Sequence, residues 1–174
     1  KASVTVKFMG DYKGSVTKQF RIKAFDISKA TVSAIADKTY TGSAIKPAVT
    51  VKIGRTVINP KEYTVEYSNN VKPGVASVTI TGLNNFYGTK KVTFNILPAK
   101  VKNLAASGET TTSLKLSWSS SAYAQGYEVY RYDTGKKTYV KVATVTGTSS
   151  NITGLAAGTD YKFAVSAYVK SSGK

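Results

Sequence analysis

The side chains able to do chemistry are few. The sequence has no His and no Cys. The commonest general base at neutral pH is therefore missing, together with the commonest metal ligand, the thiolate nucleophile and any disulfide framework. Nine acidic residues stand against 25 Lys plus Arg. Paired carboxylates would need acids brought together from facing strands. Asp26 and Asp37 lie near one domain entrance, but nothing in their spacing marks a dyad, and they read as solvated loop acids. Glu128, opposite basic neighbours, reads as half of a cross-strand ion pair. There is no glycine-rich phosphate loop, no dinucleotide pattern and no EF-hand spacing. A Lys–Asn isopeptide crosslink would need a buried Lys, and no Lys falls at an inward position. No catalytic residue, metal or cofactor is expected.

The remaining chemistry is recognition. Carbohydrates stack on exposed aromatic faces and hydrogen-bond to amides. Asn84, Asn85 and Tyr87 fall at a hairpin tip (NNFYGT), and Tyr123 falls in a loop (SAYAQGY). These four are the candidate ligand-binding residues. Tyr130, Tyr132, Tyr139 and Tyr168 are expected to point outward. The competing reading, which we prefer from sequence, makes these tyrosines cross-strand packing pairs or interdomain contacts. Asn151-Ile-Thr153 matches a glycosylation sequon and suggests a surface loop.

The net charge of +16 is spread along the chain: +5 over residues 1–25, +5 over 26–98 and +6 over 99–174. A nucleic-acid reader gathers its basic residues on one face, and Arg, the better base and phosphate chelator, is limited here to Arg21, Arg55 and Arg131. No specific nucleic-acid partner is expected. A Lys-rich soluble surface is the plainer reading, with unspecific attraction to anionic surfaces beside it. No apolar run approaches the ~20 residues of a membrane span.

The elements that would position these residues are strands. Val, Thr and Tyr are abundant, and no long stretch shows the helical period. Val49, Val51 and Ile53 alternate with Thr50 and Lys52. Tyr63, Val65 and Tyr67 alternate with Thr64 and Glu66, and Val78 and Ile80 with Thr79 and Thr81. Val92, Phe94 and Ile96 repeat the pattern. Such strands have one buried and one wet face, and sequential ones cover their apolar faces with a second sheet. SNNVKPG (68–74) and GLNNFYGT (82–89) supply turns. Pro98, which cannot donate to a ladder, marks a boundary.

The chain also repeats itself. ASVTV at residues 2–6 returns as ASVTI at 76–80. Without a gap, Gly14, Phe20 and Ile22 then fall on Gly88, Phe94 and Ile96. An offset of 74, the length of a small sandwich, signals an array of modules. Residues 1–25 read as the last two strands of one repeat and 26–98 as the next complete one.

Residues 38–96 carry KTYTGSAIKPAVTVKIG, KEYTVEYSNN, GVASVTITGLNNFYGT and VTFNI. They resemble the bacterial immunoglobulin-like repeats of surface and secreted proteins from Gram-positive anaerobes. The resemblance keeps Tyr63 as the first strand tyrosine and Phe86 as the hairpin aromatic, with Tyr12 its counterpart in the partial copy. Phe8 departs from it, standing where the full copy has Gly82. Residues 101–170, with SLKLSWS, GYEVYRYD and GLAAGTDYKFAVSAY, resemble a fibronectin type III domain. Leu114, Leu116 and Trp118 would face Tyr127 and Val129, with Tyr161, Phe163, Val165 and Ala167 on another inner face. Tyr161 would form the tyrosine corner, with Ala157 where that family often has proline.

The expected fold is thus all-β: tandem immunoglobulin-like β-sandwiches, the first represented only by a C-terminal hairpin. The expected domains are 1–25, 26–98, and 99–174 as a fibronectin type III domain lacking its last strand. Both ends read as truncated, and are expected to fray or to pair with a neighbouring molecule. By resemblance, the chain is a non-catalytic spacer in an extracellular, multimodular bacterial protein, presenting a distal adhesive or catalytic domain. Its partners would be neighbouring domains of the same polypeptide. The alternative is an adhesion module binding polysaccharide or a host surface protein.

Overall fold

In a computed structural model, residues 2–21 and 23–170 are described. Lys1, Ile22 (the partner of Ile96 in the repeat) and the closing SSGK, where the end of the last domain was expected to fray or pair, lie outside the described residues. The regular structure of the described chain is nearly all strand, as the alternation requires, joined by turns and irregular loops. Its described residues gather into two compact units, one within 2–33, 50–66 and 79–91, the other within 34–49, 67–78 and 92–170.

The chain begins with a hairpin, β1 (Ala2–Lys7) and β2 (Ser15–Phe20), paired antiparallel from Ala2↔Phe20 to Lys7↔Ser15. Then follow β3 (Phe25–Asp26), β4 (Thr31–Val32), β5 (Lys38–Thr39), β6 (Val51–Ile53), β7 (Thr56–Val57), β8 (Tyr63–Ser68), β9 (Gly74–Gly82), β10 (Phe86–Tyr87) and β11 (Thr89–Leu97). Their sheets run β4-β6-β7, β5-β11-β9-β8 and the two-stranded β10-β3. Two single turns of 3-10 helix intervene. Asp26 caps Ile27–Lys29 by accepting from the Ser28 amide at 3.0 Å, and Asn59 caps Pro60–Glu62 by accepting from the Lys61 amide at 3.0 Å. Short polar side chains in this role satisfy amides that a helix start leaves free.

Burial follows the alternation. In the first unit Ile27, Ala30, Val51, Ile58, Tyr63 and Ile80 are buried; in the second, Ala76, Val78, Phe94 and Ile96. Residues 34–49, mostly without ladder partners, are tied down by long-range bonds instead. The Ile45 amide donates to the Asn70 carbonyl at 2.8 Å, and Asn70 Nδ2 donates to the Ile45 carbonyl at 3.0 Å. Tyr67 Oη donates to the Pro47 carbonyl at 2.6 Å.

The C-terminal sandwich is built from β12 (Ala105–Ser107), β13 (Ser113–Ser117), β14 (Gly126–Asp133), β15 (Thr138–Val145), β16 (Ser149–Thr153) and β17 (Phe163–Tyr168). Its sheets run β12-β13-β16 and β15-β14-β17, all antiparallel. Leu116, Trp118, Tyr127, Val129 and Ile152 form its buried cluster, with Leu114, Phe163, Val165 and Ala167 packed against it. Full burial of a side chain such as Val129 contributes about 1.5–3 kcal/mol by leaving water. The Trp118 ring meets Tyr127 edge-on, with centroids 5.5 Å apart. Tyr127 Oη accepts from the Ser121 amide at 2.9 Å. The tyrosine corner forms: Tyr161 Oη accepts from the Ala156 amide at 2.9 Å, with no proline at Ala157. Asn151, expected in a loop, sits within β16 opposite Lys115, its side chain exposed. The outward half of an alternating strand is as wet as a loop.

Two buried polar atoms lack a partner among the described residues, Glu62 Oε2 and the Trp118 indole N–H. An orphan of this kind costs about 1–3 kcal/mol. Truncating the ring removes that cost but opens a large cavity, so Trp118→Ala should still destabilise by about 3–5 kcal/mol. Trp118→Phe, which keeps an aromatic ring, leaves a smaller void and discards the orphan, should cost clearly less. Urea unfolding followed by circular dichroism checks both.

Candidate functional surface

Asn84, Asn85 and Tyr87 are brought together on the β9–β11 connection, in a form the sequence did not announce. Tyr87 and Phe86 make β10, which pairs parallel with β3 (Phe86↔Phe25, Tyr87↔Asp26). The Phe25 amide donates to the Asn85 carbonyl at 2.9 Å, and the rings of Phe25 and Phe86 meet edge to face at 6.3 Å. Asn84 takes a left-handed φ of 54°, which Asn tolerates well. Asn85 thus holds the loop through its backbone, while the Tyr87 side chain is left exposed. Gly82 is required here by space. A Cβ there would come within 2.9 Å of the backbone of Phe86 and Tyr87.

Tyr123 belongs to the second unit. It has a left-handed φ of 61°, uncommon for an aromatic residue. Its ring meets Tyr40 edge-on at 5.4 Å, and the Lys72 ammonium lies 5.5 Å from its centroid. A cation held near the ring and an edge-on neighbour leave less of Tyr123 for stacking on a ligand. Burial pushes the Tyr40 phenol up from its ordinary pKa, with the Tyr123 phenol adding to it.

The four other tyrosines line the outward side of β15-β14-β17. Tyr130 and Tyr132 alternate with buried Val129, and Tyr139 is the register partner of Tyr132, their rings 5.3 Å apart at 70°. The Lys162 ammonium lies 5.9 Å from the Tyr132 centroid. Tyr168 pairs with Gly126 and covers it so closely that a Cβ there would meet the phenol at 2.5 Å. These contacts are those of cross-strand packing pairs.

Between these rings lies the tightest polar cluster. Glu128 accepts from Tyr130 Oη at 2.5 Å and from Lys141 Nζ at 2.8 Å. A β-bulge makes the meeting possible. The register runs Val129↔Ala143 and then Tyr130↔Lys141, so Val142 is the extra residue. In an unbulged ladder, with Val142 paired to Tyr130, Lys141 would oppose Arg131 and turn to the other face. The bonds from Lys141 and Tyr130 hold the Glu128 carboxyl below its ordinary pKa. The same cluster raises Lys141 and Tyr130, each chiefly through its bond to Glu128.

Two other acids serve structure. Asp26 caps a turn, its carboxyl lowered by its bonds to Ser28, and Asp37 accepts from Asn95 Nδ2 at 2.9 Å. Among the described residues no three His, Cys, Asp or Glu come together as metal ligands would. Open grooves flank the C-terminal sandwich. One of about 540 Å³ adjoins the tyrosine corner, and one of about 550 Å³ follows β17, lined by residues 97–101 and 165–169.

Two outcomes are expected. Gly82→Ala should force the loop off β9, speed exchange of the Phe25 amide and cost about 1–3 kcal/mol, as overpacking does. A carboxyl held low stabilises the fold above its unfolded pKa and loses that contribution as pH falls through the folded value. Wild type should therefore lose stability below about pH 4.3, and Glu128→Gln should flatten that limb. Lys141 and Tyr130, raised in the fold, should give the opposite limb, lost as pH climbs through their folded values. Unfolding midpoints against pH, for both proteins, check the pair.

Comparison with known proteins places part of this architecture. The family description "Fibronectin type III domain" matches residues 99–174. A 73-residue stretch, 40% of the chain, is 44% identical to part of Chitinase A1 from Niallia circulans, and covers 10% of that protein. Among solved structures, the crystal structure of FN3tt is similar at 25% identity over 42% of this chain and 80% of that one, with a TM-score of 0.39. A crystal structure of titin domains is similar at 17% identity over 92% of this chain and 66% of that one, with a TM-score of 0.41. The core around Trp118, the corner at Tyr161 and the sequence match agree: residues 99–174 are a fibronectin type III domain.

Proposed function

We propose that this chain is a non-catalytic spacer from a multimodular extracellular bacterial protein, with residues 26–98 an immunoglobulin-like module ahead of the fibronectin type III domain. One observation carries the reading: a stretch about the length of that domain recurs at 44% identity in a protein of which it is only a tenth. The relative is by name a chitinase. The parent of this chain would by analogy act on, or adhere to, a polysaccharide through a domain elsewhere. The side-chain chemistry supports this role. Asp26, Asp37 and Glu128 are committed to capping, hydrogen bonding and ion pairing. The candidate binding tyrosine Tyr123 is held against Tyr40 and Lys72.

Retention of the purified chain on insoluble chitin and on an anionic glycan resin tests the spacer against the adhesion module. The spacer should elute from the anionic resin as salt shortens the reach of its +16 charge. It should not be retained on chitin, and should release no soluble sugar. Salt-resistant retention abolished by Tyr87→Ala or Tyr123→Ala would establish a binding site and overturn the spacer reading.

A further inference from the structure

The β1–β2 hairpin presents an unexplained surface. Its register puts Ala2, Val4, Val6, Val16 and Phe20 on one face with Lys18, and Ser3, Thr5, Lys7, Ser15, Thr17 and Gln19 on the other. The polar face is in order, with Thr5 Oγ1 and Thr17 Oγ1 2.8 Å apart. The apolar face is open: Val4 is 54% exposed, Val6 56% and Phe20 48%. Among the described residues no third strand joins the pair. An isolated two-stranded hairpin is marginal in water, and uncovered apolar faces mark interaction sites.

The chain itself shows how such a face is covered. With the offset of 74, Val4, Val6 and Phe20 correspond to Val78, Ile80 and Phe94 in β9 and β11, which are 0%, 0% and 3% exposed. The correspondence extends to the backbone. The Phe8 amide donates to the Gly14 carbonyl at 3.1 Å, and the Gly82 amide to the Gly88 carbonyl at 3.0 Å. Gly14 and Gly88 both take positive φ, 117° and 80°. β2 carries Val16 and Lys18 where β11 carries Lys90 and Val92, which moves one apolar residue along the face without leaving it. In the complete copy the pair lies inside its sheet, between β5 and β8.

We propose that the apolar face of β1–β2 is the inner face of a second immunoglobulin-like module, and that its cover is a layer built like residues 26–68 of this chain, joined to it in the same polypeptide. That layer would add flanking strands equivalent to β5 and β8 and shield Val4, Val6 and Phe20. One difference is built in. Phe8 occupies the place of Gly82, where a Cβ collides with the folded-back loop, so that module would form no equivalent of the β3–β10 pairing.

The test supplies the missing layer. Residues 26–75 are grafted directly ahead of Ala2, as they precede Ala76, in the otherwise complete chain. Amide exchange by mass spectrometry then compares graft and parent. Protection over residues 2–20 should rise on the order of 100-fold or more as the hairpin joins a cooperative unit, with residues 11–13 left unprotected. Val6→Asp should abolish the gain in the graft and leave unfolding of the parent unchanged. Unaltered protection, or a gain indifferent to Val6→Asp, overturns the proposal. Sedimentation of the unmodified chain is the second measurement, and decides should the graft not fold. A monomer at all concentrations, with rapidly exchanging hairpin amides, agrees with an absent cover. A dimer that Val6→Asp dissociates assigns the face to a second copy and overturns it.

Discussion

The Trp118 ring, set edge-on against Tyr127 with their centroids 5.5 Å apart, fixes the C-terminal sandwich. Trp118 follows directly on β13, and Tyr127 lies on β14 of the other sheet, so the contact joins the two layers. Around it Leu116, Val129 and Ile152 close the core. The remaining polar groups then have to find partners at the periphery. Tyr127 Oη, on β14, accepts from the Ser121 amide, and Tyr161 Oη, just ahead of β17, accepts from the Ala156 amide, each phenol pinning a loop. The unmatched indole N–H shows which demand prevails: filling the volume outweighs satisfying one donor.

The same rule of alternation distributes function. Strands commit one face to the interior, and the other is left to water, to cross-strand pairs or to partners. On β14 the outward residues pair among themselves and with β15, through the Tyr132–Tyr139 rings and the Glu128–Lys141 bond. On β1–β2 the apolar side is still uncovered. The first surface is internally satisfied and the second is not.

What could be read from the residues was whatever repeats locally. Leu114, Leu116 and Trp118 announced an inner face, and Tyr161 its corner bond, because alternation and a fixed spacing express them. The ion pair at Glu128 was legible in kind but not in partner. The extra Val142 resets the register without disturbing the pattern on either side. The β3–β10 pairing was hidden, since two residues carry no period and their meeting depends on space above Gly82. Residues 34–49 were equally opaque, being held by Tyr67 and Asn70 from 20 and 25 positions away. Of the candidate surface, Asn84, Asn85 and Tyr87 do share one loop, whereas Tyr123 answers to Tyr40 and Lys72.

The bulge at Val142 has a bearing on solubility as well. β15 ends its sheet, so one side of its backbone faces outward with a row of amides and carbonyls free to template another chain. A strand carrying an additional residue cannot offer a regular row, because donors and acceptors fall out of step beyond it. The distortion that delivers Lys141 to Glu128 also makes this border a poor seed for fibril-like growth.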